Sequence, residues 1–196
     1  KKLKNYNYNL IIIDDGSLDG TYNLLVNHFK KNKNIKIYKN STNKGKGYSI
    51  KKGFKIAKGE FIFFIDADLP YIDRLEKFLL KLINSDNDIL IAKRVNSLKS
   101  DFLFGIRDKF SDLFILFCKF FFNIPFNDTQ AGLKGFRKNV IKKIINYKTN
   151  RFIFDLEILI IAKKYNIKVK EFNVMSKVDD YTLTYFLNLK FYLNIF

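Results

Sequence analysis

Two apolar runs, each stopping at a pair of carboxylates, constrain this chain most. Leu10-Ile11-Ile12-Ile13 ends at Asp14-Asp15-Gly16-Ser17, and Phe61-Ile62-Phe63-Phe64-Ile65 ends at Asp66-Ala67-Asp68. Short β-branched or aromatic runs without polar interruption read as strands covered on both faces. Around them, apolar residues at helical spacing predict helices over 19–31, 48–57 and 71–84, and further short strands are expected over 35–38 and 88–92. Such alternation predicts an α/β fold with a mostly parallel central sheet flanked by helices. Ligands of these sheets collect beyond the carboxyl ends of the strands. Both acidic motifs stand at such ends.

The second half changes character. Residues 101–126 are rich in Phe and Leu but carry Lys109 and Lys119. The run is too short and too charged to span a bilayer, and basic groups beside aromatics predict a helical segment at a membrane interface. Asn127 to Gly132 reads as a polar turn, 136–145 and 155–165 as helices, and 167–172 as a strand. Without a repeat or a linker, 1–196 reads as one domain. No uncharged apolar run reaches the length of a spanning helix, and Lys1 to Asn5 is not followed by the apolar core of a signal peptide.

Composition excludes several chemistries. One Cys and one His leave no disulfide framework, no Cys/His zinc site and no Ser-His-Asp centre. His28 reads as a solvated helix residue and Cys118 as packing. The net charge of +17, concentrated in the first 60 residues, favours anionic partners such as phosphates or an acidic membrane face. No aromatic-basic RNA motif is present, so no specific nucleic-acid partner is expected.

The carboxylates then suggest roles. Asp66 and Asp68, two residues apart at a strand end, can share a hard divalent cation, Mg²⁺ or Mn²⁺, completed by substrate phosphates. Asp14 and Asp15 can accept hydrogen bonds from a nucleobase N–H or a ribose hydroxyl. Asn43-Lys44-Gly45-Lys46-Gly47 offers backbone donors and cations suited to a pyrophosphate, without the spacing of a Walker loop.

These pieces occur in a recognisable order. Asp-Asp-Gly-Ser-x-Asp-Gly-Thr at 14–21 is followed by Asn-x-Gly-x-Gly at 43–47, Ala-x-Gly-Glu at 57–60 and Asp-Ala-Asp-Leu at 66–69. Lys-Arg at 93–94, Asp-Thr-Gln-Ala-Gly-Leu-Lys-Gly-Phe at 128–136 and Phe-Asp-Leu-Glu at 154–157 complete the series. Over residues 10–175 the chain resembles the inverting family-2 glycosyltransferases of GT-A (nucleotide-diphospho-sugar transferase) fold. The likeness is strongest to the dolichyl-phosphate and polyprenyl-phosphate sugar transferases, and among them to the β-glucosyltransferases.

The resemblance implies a metal-dependent, inverting hexosyltransferase at the cytoplasmic face of a membrane, either the endoplasmic reticulum or a bacterial inner membrane. Its donor would be a nucleotide-sugar, UDP-glucose first and GDP-mannose second, and its acceptor a polyprenyl or dolichyl phosphate. Catalytic positions would be Asp66, Asp68, Arg94, Arg107, Asp128 and Gln130, with Thr129 also beside the donor sugar. Arg94 and Arg107 would hold the acceptor phosphate. Nucleotide and metal contacts would fall on Asp14, Asp15, Ser17, Lys44, Lys46, Gly47, Ala67 and Asp68, with Asp66 and Asp68 as metal ligands. Lys134 reads as structural.

Against the family pattern, the sequence opens just before the strand at 10–13, so it reads as truncated at the amino end. Pro70 follows Asp-Ala-Asp-Leu where Gln is common in the mannosyl branch, and Asp179-Asp180-Tyr181-Thr182 replaces a Gly-Ser-Lys segment. Three alternatives follow: a GDP-mannose-dependent dolichyl-phosphate mannosyltransferase; a family-2 enzyme with a saccharide hydroxyl acceptor, using Asp155 or Glu157 as base; or a weakened, non-catalytic binding subunit.

Overall fold

The computed structural model describes residues 6–68, 74–95, 116, 118–126, 128–151 and 153–175. In chain order these form β1 (Leu10–Asp14), α1 (Thr21–Phe29), β2 (Ile35–Lys39), α2 (Lys46–Ile56), β3 (Phe61–Ile65), α3 (Leu75–Ile83) and β4 (Ile89–Val95). After these come β5 (Leu133–Arg137), α4 (Lys138–Ile144), α5 (Phe154–Lys164) and β6 (Val169–Met175). Residues 118–122 are also helical.

Among the described residues the strands make a two-stranded sheet, β1-β2, and a four-stranded sheet in the order β3-β5-β4-β6. β1 and β2 are parallel, with Leu10 opposite Ile35 and Asp14 opposite Lys39. β6 runs parallel to β4, whereas β5 runs antiparallel to both β3 and β4. β3, β4 and β6 therefore share one direction, as the α/β pattern predicts, and β5 is the exception between them.

β5 also corrects the sequence reading, which has a polar turn to Gly132 and a helix from Phe136. Residues 133–137 are strand and the helix begins at Lys138. The segment Leu-Lys-Gly-Phe-Arg has little intrinsic strand character, but its place in the sheet overrides propensity. Gly135 is required there: a Cβ would stand 2.5 Å from the ring of Phe63.

Alternation along the strands builds a core on each face of the four-stranded sheet. Ile89, Ile91 and Phe136 point to one side with Phe54 of α2 and Phe154, Ile158 and Leu159 of α5. Leu90, Ala92, Leu133 and Val174 point to the other, with Leu75, Phe78 and Leu82 of α3. On the first side the rings of Phe54 and Phe136 lie 5.0 Å apart at 74°, and those of Phe64 and Phe154 lie 6.1 Å apart. The edge-on Phe54–Phe136 pair adds about 0.5–1.5 kcal/mol beyond simple burial. α2 ties the sheets together, since Phe54 enters this core while the neighbouring Gly53 faces Ile13 of β1. Its amino end is thereby set between the carboxyl ends of β1 and β3.

Candidate functional site

Each acidic motif stands where the sheet logic predicts, but the carboxylates have different surroundings. Asp14 ends β1 and is buried. Its Oδ1 accepts the Ser17 N–H at 2.9 Å, closing the turn after the strand. Its Oδ2 is buried with no hydrogen-bond partner among the described residues. The turn needs Gly16, whose φ is +82° and whose Cβ, if present, would lie 2.5 Å from the Thr42 backbone. The loop after β2 is thereby drawn against the loop after β1. Ser17 contributes its carbonyl, which accepts Lys39 Nζ at 2.9 Å.

Asp15 organises the glycine-punctuated loop. Its Oδ1 accepts Lys44 N–H at 3.0 Å and its Oδ2 accepts Gly45 N–H at 2.7 Å. Asn40, buried just beyond β2, donates its amide to Asp15 Oδ1 at 2.7 Å and to Ser49 Oγ at 2.9 Å. Lys52 Nζ donates to the Asn40 side-chain oxygen at 2.9 Å. The sequence reading missed Asn40. It sits at a strand's carboxyl end, the same positional rule that singles out Asp14 and Asp66.

The start of α2 is also covered. The Asn150 carbonyl accepts the N–H groups of Gly47, at 2.8 Å, and Tyr48, at 3.3 Å. Of the 43–47 loop that the sequence reading offers to a pyrophosphate, the backbone donors of 44, 45 and 47 are thus engaged by Asp15 and Asn150. What this loop presents outward is cationic: Lys44, whose Nζ lies 4.8 Å from the Tyr48 ring centroid, and Lys46.

Lys46 reaches across to β3. Its Nζ meets Asp66 Oδ1 at 2.6 Å and lies 5.9 Å from the ring centroids of both Phe64 and Phe154. Asp66 is half-buried, while Ala67 and Asp68 are exposed. The Asp66 N–H donates to Gly132 O at 2.9 Å, and its carboxylate lies where a Cβ on residue 132 would be, so Gly132 makes room for it. This contact joins the Asp-Ala-Asp motif to the 128–136 motif.

In that second motif Asp128 and Thr129 are buried and Gln130 is exposed. Asp128 binds Arg94 in a two-pronged pair, Nε to Oδ2 at 2.7 Å and Nη2 to Oδ1 at 2.9 Å, and also accepts the Arg94 N–H at 3.0 Å. The guanidinium that the resemblance assigns to an acceptor phosphate therefore has one edge on a carboxylate. Arg107 lies outside the described residues.

Behind the surface, Lys134 is fully buried and donates to Asp155 Oδ1 at 2.5 Å and to Ala131 O at 2.8 Å. Burial pushes the Lys134 amine below its ordinary pKa, against the pull of Asp155. Burial likewise pushes the Asp155 carboxyl up, with Lys134 and Lys46 opposing. Glu157, in the same first turn of α5 as Asp155, accepts Lys148 N–H at 2.7 Å, Thr149 N–H at 3.0 Å and the Thr149 hydroxyl at 2.7 Å. The sequence reading considers Asp155 and Glu157 as groups facing the site. The structure turns one into the core and the other onto the 148–149 backbone.

A cation would find hard oxygen donors at Asp66 and Asp68. Among the described residues no cluster of three or more His, Cys, Asp or Glu side chains is set to enclose a metal. Two carboxylates at a surface fit an ion that takes its remaining ligands from water and substrate phosphates, which is the habit of Mg²⁺.

Comparison with known proteins shows the family and the fold. The family model described as "Glycosyl transferase family 2" matches residues 1–145. A dolichyl-phosphate beta-glucosyltransferase of Dictyostelium discoideum is 31% identical over 198 residues, covering 93% of this chain and 61% of the relative. A UDP-N-acetylglucosamine–dolichyl-phosphate N-acetylglucosaminyltransferase of Methanococcus voltae is 28% identical, covering 99% of this chain and 85% of that protein. The chain thus spans about three fifths of the length of the Dictyostelium relative. Glucosyl-3-phosphoglycerate synthase from Mycobacterium tuberculosis, solved with Mn²⁺, UDP and glucosyl-3-phosphoglycerate, superposes with a TM-score of 0.65. That match is 13% identical over 86% of this chain and 59% of the other. At that identity it establishes a shared fold.

Proposed function

Because the chain belongs to glycosyl transferase family 2, we propose that it transfers a sugar, glucose first, from a nucleotide-sugar to a polyprenyl or dolichyl phosphate at a membrane surface, with inversion. The observation that carries this reading is a chain of contacts at the strand ends: Asp15 on 44–45, Lys46 on Asp66, Asp66 against Gly132, and Asp128 on Arg94. It gathers carboxylates, two lysines and an arginine beside one another, the equipment for two phosphate-bearing substrates and a divalent cation.

Asp66 and Asp68 would hold the cation, which when bound neutralises charge developing on the leaving diphosphate. Lys46 lies where it can pair with a donor phosphate oxygen once Asp66 turns to the cation. Asp14 and Asp15 border the base and ribose pocket, with Asp15 acting through the 44–45 backbone. Arg94 is held by Asp128 two residues before the exposed Gln130, and both would border the sugar and the acceptor phosphate. A lipid phosphate is already anionic at neutral pH, so the acceptor needs no strong base. Positioning and electrostatics then carry the rate, through one in-line displacement that inverts the anomeric carbon.

A saccharide hydroxyl acceptor fits less well. It needs a base, and the two carboxylates considered for that task are engaged elsewhere, Asp155 with Lys134 and Glu157 with the 148–149 backbone. The lipid acceptor also suits the surface. Leu116, Phe120, Phe121 and Phe122 are exposed, Phe120 by 80%, with Lys119 exposed among them. Aromatics and lysines so mixed favour an anionic membrane face. Among the described residues no helix is long and apolar enough to cross a membrane.

The test is transfer of labelled sugar to dolichyl phosphate in detergent micelles with Mn²⁺, offering UDP-glucose, UDP-N-acetylglucosamine and GDP-mannose separately. The expected result is an organic-extractable product from UDP-glucose. Extractable product from GDP-mannose alone would select the mannosyltransferase. Label passing only to a saccharide, or no transfer from any donor, would overturn the lipid-phosphate assignment.

A further inference from the structure

Glu157 lies in the first turn of α5, where an acidic residue ordinarily serves its own helix. Here both oxygens instead grip the backbone N–H groups of 148 and 149, and Oε2 also takes the Thr149 hydroxyl. Burial alone would raise this carboxyl's pKa, but the bonds from Thr149 and Lys148, with Lys51 nearby, outweigh it and hold the group below its ordinary value.

The segment so held is a strap across the beginning of α2. The buried Tyr147 hydroxyl donates to Gly47 O at 2.6 Å, and Lys51 Nζ returns a bond to the Tyr147 carbonyl. The Asn150 carbonyl closes on Gly47 and Tyr48. The fit leaves no room for side chains underneath. A Cβ on Gly45, whose φ is +95°, would stand 2.5 Å from Asn150 O, and one on Gly47 would stand 2.9 Å from Thr149 O. Lys46 is the residue between these two glycines, and it carries the 2.6 Å contact to Asp66.

We propose that Glu157 is a positioning residue for the donor diphosphate: it fixes the strap 147–150, the strap fixes the backbone of 45–48, and that backbone aims Lys46 at the Asp66 side of the site. The inference rests on reading Lys46 and Asp66 as the donor site. It assigns Glu157 to donor binding, with no part in the chemical step and no contact with the acceptor.

The variants are Glu157→Gln, which removes the charge and one acceptor oxygen, and Thr149→Val, which removes one bond and keeps the carboxylate. UDP binding in Mn²⁺ is measured by calorimetry, amide exchange at Gly47 and Tyr48 by NMR, and donor KM and kcat by lipid-product assay. In Glu157→Gln the expected result is a rise of about tenfold in UDP Kd and donor KM, the worth of one charge-assisted hydrogen bond. Exchange at Gly47 and Tyr48 should quicken while kcat and acceptor KM hold. Thr149→Val should move the same quantities less, and carries the test if Glu157→Gln does not fold. Faster exchange with unchanged UDP affinity, or a fall in kcat at constant KM, would overturn the proposal while leaving the donor site standing. Failure of the unaltered chain to bind UDP would remove the donor site and the proposal together.

Discussion

Lys134 and Asp155 meet at 2.5 Å with 0% and 4% of their side chains exposed, whereas Lys46 and Asp66 meet at 2.6 Å with 27% and 34% exposed. The two pairs share chemistry and neighbourhood: Lys46 and Lys134 both flank the Phe64 ring, and Lys46 also acts on Asp155 through space. Solvent separates their tasks. Burial disfavours the charged form of each member of the inner pair, so each depends on the other and neither can be lent to a ligand. The outer pair is screened by water and adds little to stability. Asp66 can therefore exchange Lys46 for a different cation, and Lys46 can exchange Asp66 for a phosphate. On the proposed function, one pair is a strut and the other a working contact.

The same substitution made in both pairs breaks the comparison most sharply. Lys134→Met strands a buried carboxylate and should lower unfolding free energy by about 3–5 kcal/mol, with most of it regained in Lys134→Met/Asp155→Leu. Lys46→Met should change stability by less than about 1 kcal/mol. Urea unfolding of the three variants reads both numbers. Equal losses at the two lysines would erase the distinction.

A smaller effect sharpens the account of the strap. The Glu157 carboxyl is held below its ordinary pKa in the folded chain. Its contribution is therefore complete above the unfolded glutamate value and is lost as pH falls through the folded one. Amide protection at Gly47 and Tyr48 should fade selectively across that acidic window, ahead of the β4 and β5 amides. Protection that fades together throughout the molecule would deny the strap a separate dependence on Glu157.

Much of this is legible in the sequence. β1 and β3 are announced by β-branched and aromatic runs, and the structure puts Asp14 at the end of β1 and Asp66 directly after β3, where the rule for strand ends expects carboxylates. β5 was not legible, because a central strand containing Lys134 and Gly135 is specified by its neighbours: Asp155 for the lysine and the Phe63 ring for the glycine. Residue type likewise conceals the engagement of Arg94 by Asp128, since a guanidinium matches carboxylate and phosphate equally well. The Asn150 carbonyl left no trace in the sequence at all, being backbone. Lys134, expected as structural, is buried as that role requires.

Metal-dependent UDP binding, measured by calorimetry on the unaltered chain and on Asp66→Asn, tests the central claim most directly. The account predicts that the unaltered chain binds UDP only with Mn²⁺ or Mg²⁺ present. It predicts further that Asp66→Asn loses this dependence and at least about tenfold in affinity, while unfolding within about 1 kcal/mol of the parent. Undiminished, metal-dependent binding in Asp66→Asn would contradict it, since the outer aspartate would then be no more a working group than the inner one.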